Sequence, residues 1–145
     1  MPQVEKERPR ERIERECLRR GKEALVLDCV HLLTGGEVDE ALVVVLGGAH
    51  ARALLATGVR EPDEYWLRVW AARGLMWEWD DVATDAICAA LNDEAWRVRE
   101  MACKVVGRNN VGDALPTVAH LMSDASPRVQ TAARRAVERL TALGA

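Results

Sequence analysis

Val98, Met101, Ala102, Val105 and Val106 fall at i, i+3, i+4, i+7 and i+8, the spacing that draws one apolar stripe along an α-helix. The pattern returns 31 positions later as Val129, Ala132, Ala133, Ala136 and Val137, and 31 positions earlier as Leu67, Trp70, Ala71, Gly74 and Leu75. A fixed period of this length marks stacked helical units, none of which can bury its own apolar face, so neighbours supply the core. The periodicity predicts an all-α, right-handed superhelix of about four helical hairpins.

Composition agrees with that prediction. Of the 145 residues 49% are apolar, mostly Ala, Leu and Val, while Phe is absent and Tyr65 is the single tyrosine. Strand-favouring aromatics are therefore scarce and helix formers plentiful. One run, Val43-Val44-Val45-Leu46, has the β-branched density of a strand, but a lone strand would leave its backbone groups unpaired, so helix is expected there too. The apolar runs are too short to span a bilayer, and the highly charged start of the chain lacks the apolar segment of a secretory signal. Cys17, Cys29, Cys88 and Cys103 have no close metal-ligand spacing, which suits free thiols in a cytoplasmic protein.

Residues 2–20 are highly charged, with Glu11/Arg15 and Glu16/Arg20 at helical i, i+4 spacing. They form an expected N-terminal helix or arm, 1–20, starting after Pro9 and carrying only the thin apolar seam of Ile13, Cys17 and Leu18. The repeat domain is expected over 21–145. Its helices are predicted at 22–33, at about 38–46 before Gly47-Gly48, at 50–57 before Gly58, and at 64–76. A turn at residues 77–81, with Asp80 or Asp81 as N-cap, opens a helix to Leu91. Helices at about 95–106 and 115–122 follow, and Pro127 opens the last.

The segment from Asp80 to Leu140 resembles tandem HEAT repeats of the short-period, phycobilisome-lyase-like type: a turn Asp, a Val-Arg step, then Ala and aliphatics, here Asp93, Val98, Arg99, Ala102 and Val105. The resemblance implies a structural ladder between neighbouring repeats in which the turn Asp meets the helix Arg. Asp93 and Arg99 occupy those positions, Arg68 matches one repeat earlier, and Asp124 is kept in the last repeat, where Gln130 replaces the Arg. Pro62 stands where the earlier repeat would carry its Asp, which leaves Asp63 or Glu61 as the substitute. Such repeats serve many unrelated binding roles, so the likeness bears on fold more than on function.

No catalytic or metal constellation is present, and no cofactor is expected. His31, His50 and His120 are not repeat equivalents and lack ligand spacing, Gly47-Gly48 lacks the phosphate-loop pattern, and the carboxylate pairs Asp39-Glu40 and Asp80-Asp81 suit helix starts. What remains is a second register. Arg97, Lys104 and Arg108 share one helix flank beside the apolar stripe; 31 positions on stand Arg128, Arg135 and Arg139, and 31 back stand Trp66, Arg73 and Trp77. Stacking would align them as an exposed basic strip edged by tryptophans, despite the net charge of −3. Ordinary amphipathic coating of the core by Arg stems explains the same pattern.

Two functions follow. In the first, a non-enzymatic adaptor grips a protein or acidic peptide on its concave face through Trp66, Arg73, Trp77, Arg97, Lys104, Arg108, Arg128 and Arg135. In the second, the chain binds nucleic acid, in a distant resemblance to the HEAT-like alkylpurine DNA glycosylases; Trp79 with Asp80 or Asp81 would match their Trp and Asp only loosely. The negative net charge favours the adaptor. Oligomeric state is not legible.

Overall fold

The computed structural model describes residues 7–144; the first six residues of the expected arm and Ala145 lie outside the described residues. Among the described residues there is no strand and there are eight α-helices: α1 (Pro9–Arg20), α2 (Lys22–Leu33), α3 (Glu40–Ala56), α4 (Tyr65–Trp77), α5 (Thr84–Ala90), α6 (Trp96–Asn109), α7 (Leu115–Leu121) and α8 (Pro127–Gly144). They pair in sequence order, α1 with α2 through α7 with α8, and the second helix of each pair packs on the next, in the order α2, α4, α6, α8. This gives four helical hairpins stacked side by side around one continuous core.

The repeat register is visible in the packing. Val98, Ala102, Val105, Val106, Val129 and Ala133 have no exposed surface, and Leu67, Trp70, Ala71 and Leu75 are buried on α4. Small residues along α6 and α8 let the two helices approach closely, as at Gly107, where an added methyl group would lie 3.3 Å from the Ala136 backbone. Each of the last three hairpins opens on a short 3-10 turn or polar loop. Asp39 caps α3 by accepting from the Leu42 amide, and Asp80 accepts from the Val82 amide at the turn before α5.

Two details differ from the sequence reading. The helices expected at 38–46 and 50–57 form one element, α3, which bends at Gly48 (φ 63°, ψ −138°), a backbone conformation natural to glycine. The first helix, expected to carry only a thin apolar seam, is packed: Ile13 has no exposed surface and Cys17 is half-buried, whereas Leu18, expected in the same seam, is 90% exposed. Glu16 is also buried, because Arg19 and Arg20 close on its carboxylate at 2.6 and 2.7 Å. Those hydrogen bonds, Arg19's first, hold Glu16 below its ordinary carboxylate pKa although burial pulls the other way. Arg20 extends the network to Asp28 and Asp39, tying α1 to α2 and to the start of α3.

Candidate functional site: the face of α4, α6 and α8

The α4, α6 and α8 helices set their outward flanks side by side, and the repeat register brings most of the expected site residues together there. Trp66, Val69 and Arg73 from α4, Trp96, Arg97, Glu100, Met101 and Lys104 from α6, and Arg128 from α8 line one groove of about 230 Å³. A second, smaller groove of about 140 Å³ continues it between α6 and α8, lined by Lys104, Arg108, Arg135 and Arg139.

Within the main groove the cations are held rather than free. The Arg97 guanidinium lies 4.4 Å from the Trp96 ring centre, 5.3 Å from Trp66 and 5.7 Å from Tyr65, and it donates to the Tyr65 hydroxyl at 3.2 Å. The faces of these rings carry negative potential, so they orient the fork without neutralising its charge. Arg128 makes a two-pronged pair with Glu100 at 2.7 and 3.1 Å and lies over Trp96 at 5.3 Å. Glu100 is only 8% exposed and also has Lys104 at 3.8 Å, so the floor of the groove holds one carboxylate between two cations. Trp77 sits between two arginines, with Arg108 at 4.3 Å and Arg10 of α1 at 4.7 Å from its ring centre.

Arg73 requires a correction. Expected on the exposed strip, it is half-buried and donates to the Leu46 carbonyl at 3.2 Å, because the bend of α3 brings that carbonyl over the α4 flank. Burial first, then the charge of Arg12, pulls its pKa down. Arg128 likewise is not an unpaired cation, although its side chain stays exposed.

The ladder positions lie between helices of adjacent hairpins. Arg68 meets Asp93 at 2.7 and 3.2 Å, and Arg99 meets Asp124 at 3.0 and 3.1 Å. Each Asp also accepts a backbone amide two residues on, from Ala95 or Ser126. Arg99 further donates to the carbonyls of Asp93 and Glu94, and Gln130, its equivalent 31 residues later, donates to the Asp124 carbonyl at 2.6 Å. The Gln therefore keeps the local loop contact without the inter-repeat reach. Asn109 adds a second tie, with its side-chain amide donating to the Leu75 and Met76 carbonyls that end α4.

The residues of the nucleic-acid reading lie elsewhere. Trp79 donates its indole N–H to Asp81, and Asp80 lines a shallow cleft with Lys22 and Val26 of α2. Nor do the thiols offer chemistry: burial above all pushes Cys29 and Cys103 up to about 12, so both stay protonated at neutral pH. Among the described residues no three His, Cys, Asp or Glu side chains converge as metal ligands.

Comparison with known proteins matches part of the chain to a family. Residues 84–142 match the family model described as HEAT repeats. This segment is similar to HEAT repeats. It covers α5 to α8, including Asp93, Arg99 and Asp124. HEAT repeats generally serve as protein-interaction scaffolds and are typically non-catalytic. No curated protein and no solved structure matches the chain. Among the described residues no helix is long and apolar enough to cross a membrane.

Sequence reading missed Trp96 and Glu100 as groove residues and Tyr65 as the ring that holds Arg97 beside them. The two aromatics were discoverable: Trp96 and Tyr65 are 31 apart, forming an aromatic column next to the basic one. Glu100 was not, since its role depends on Arg128 reaching it from another helix.

Proposed function

We propose that the chain is a non-enzymatic adaptor that holds an acidic segment of a partner protein in the groove of α4, α6 and α8. The supporting observation is the Arg97 guanidinium, fixed by Tyr65, Trp66 and Trp96 with no carboxylate pairing it among the described residues. A planar fork already held in place loses little further freedom when a carboxylate docks on it. Trp66 and Trp96 supply apolar surface beside it, and Lys104, Arg108 and Arg135 extend the positive potential along the face. Four free thiols support a reducing, cytoplasmic setting. The adaptor is favoured over a nucleic-acid binder because Trp79 and Asp80 are absent from this groove.

The test is titration of a fluorescent Glu/Leu peptide and, in parallel, of duplex DNA. The Arg97→Glu, Lys104→Glu double variant should lose peptide binding while its melting curve stays close to that of the wild type. Reversing Arg134, off this groove, should change little. Unaltered peptide binding by the double variant would remove the groove from consideration. Tight DNA binding that weakens steeply with salt would replace the adaptor with a phosphate-tracking protein.

A further inference from the structure

At the bend of α3, beside the groove whose wall includes Arg73, Arg12 and Arg73 are held on neighbouring carbonyls and Arg52 stands one helical turn beyond. Arg12 of α1 donates its Nε to the Val45 carbonyl at 2.9 Å, and Arg73 of α4 donates to the neighbouring Leu46 carbonyl at 3.2 Å. In an unbroken helix those two carbonyls would accept from the amides of residues 49 and 50, a pattern that the non-helical Gly48 interrupts. The side chains bonded to them are thus anchored by the bend itself. Arg12 lies so close over it that a methyl group on Gly48 would stand 2.8 Å from Arg12 Nη2. Arg52 is exposed on α3, four residues beyond Gly48, and its charge is felt at Arg12.

Among the described residues none of the three has an ion-pair partner, in contrast to their neighbours Arg10, Arg15, Arg19 and Arg20. Burial and mutual repulsion both act against the charges of Arg12 and Arg73. Their free donors remain accessible, since no buried side-chain nitrogen or oxygen among the described residues lacks a partner. Arg12 keeps Nη2, Arg73 keeps Nε and Nη2, and the whole Arg52 fork is unused by hydrogen bonds among the described residues.

We propose that Arg12, Arg52 and Arg73 form an oxyanion site at the Gly48 bend that takes a phosphate monoester. A phosphate is the better match than one carboxylate, because two held cations with an exposed third beside them favour a dianion, whose three terminal oxygens can accept from more than one fork. The main groove differs in this respect, since Glu100 already neutralises part of its charge. The site shares Arg73 with the groove wall but uses neither Arg97 nor Lys104: phosphate would bind here even if no acidic peptide bound there.

The experiment follows thermal unfolding and tryptophan emission while inorganic phosphate is titrated at constant ionic strength against chloride, with Trp66 and Trp70 nearby as reporters. Saturable stabilisation by phosphate but not chloride is expected. Arg52→Gln, which removes an exposed fork that makes no hydrogen bond or ion pair among the described residues, should weaken phosphate binding about tenfold, the loss expected for one charge-assisted fork. Arg134→Gln should not. A phosphoserine peptide and its glutamate counterpart distinguish the source of the phosphoryl group. Tighter binding of the phosphopeptide than of inorganic phosphate, lost in Arg52→Gln, assigns the site to a partner's phosphoryl group; equal affinity assigns it to a small free phosphate. No phosphate effect beyond chloride, no change in Arg52→Gln, or a glutamate peptide binding as tightly as the phosphopeptide would each overturn the proposal. Because the Arg97→Glu, Lys104→Glu variant retains the bend, its phosphate response separates failure of the groove from failure of this site.

Discussion

The first two hairpins and the last two share one core but are held together differently. In α5 to α8, cohesion is distributed over many small contacts: Val and Ala at repeat positions, with the ion pair Arg99–Asp124 crossing between its two hairpins and Arg68–Asp93 joining it to α4. In α1 to α4 it is concentrated. The Trp70 ring is 1% exposed and lies where a methyl group on Gly47 would be 2.7 Å away, while Gly74 lets α4 approach Cys29 and Leu46, each within 2.9 Å of a would-be methyl. Repetition makes a structure tolerant, since the same interaction is made more than once. A unique junction has no such reserve, although it can place unusual groups, such as the two arginines on consecutive carbonyls of α3, where a regular repeat offers no equivalent.

This contrast predicts where damage is greatest. Trp70→Ala should cost about 3–5 kcal/mol, the range for emptying a large aromatic from a packed core. Val105→Ala in the repeated half should cost clearly less by chemical denaturation, and equal losses would erase the distinction between concentrated and distributed cohesion.

A smaller effect is expected where the repeated half is tightest. Ala102, fully buried on α6, leaves no room for extra carbons, so Ala102→Leu should destabilise by about 1–3 kcal/mol through overpacking. An unchanged midpoint of unfolding would mean that the α6 stripe is looser than its burial indicates.

The least effect at neutral pH, and the most diagnostic pH dependence, belongs to Arg99→Ala. Burial pushes the Asp124 pKa up, but the Arg99 hydrogen bond, the Ser126 amide and the Arg99 charge outweigh it and leave the group below its ordinary 3.8. A carboxylate whose folded pKa is depressed contributes stability that is complete above the unfolded pKa and is lost as pH falls through the folded one. The wild type should therefore lose stability on acidification below the ordinary carboxylate range, and Arg99→Ala should flatten that part of the curve. If both proteins follow the same acid profile, the pair contributes geometry and not linkage. Glu16, also depressed but paired with Arg19 and Arg20, supplies the corresponding acid dependence in the first hairpin and is untouched by this variant.

The apolar period by itself determined the helical class, the stacking of α4, α6 and α8, and the shared flank of Trp66, Arg97, Lys104 and Arg128. Those features follow from helix geometry acting on residue spacing, and spacing is written in the chain. Tertiary structure alone decided which of the basic residues are free. Arg128 is paired because Glu100 lies across a helix boundary, and Arg73 is turned inward because a bend 25 residues earlier, at Gly48, presents it with a carbonyl. The sequence also could not show that Arg12 and Arg73 meet at one bend of α3, since they stand in different helices and in no common register. Charge compensation depends on distances between segments, and those distances are set only when the whole core closes.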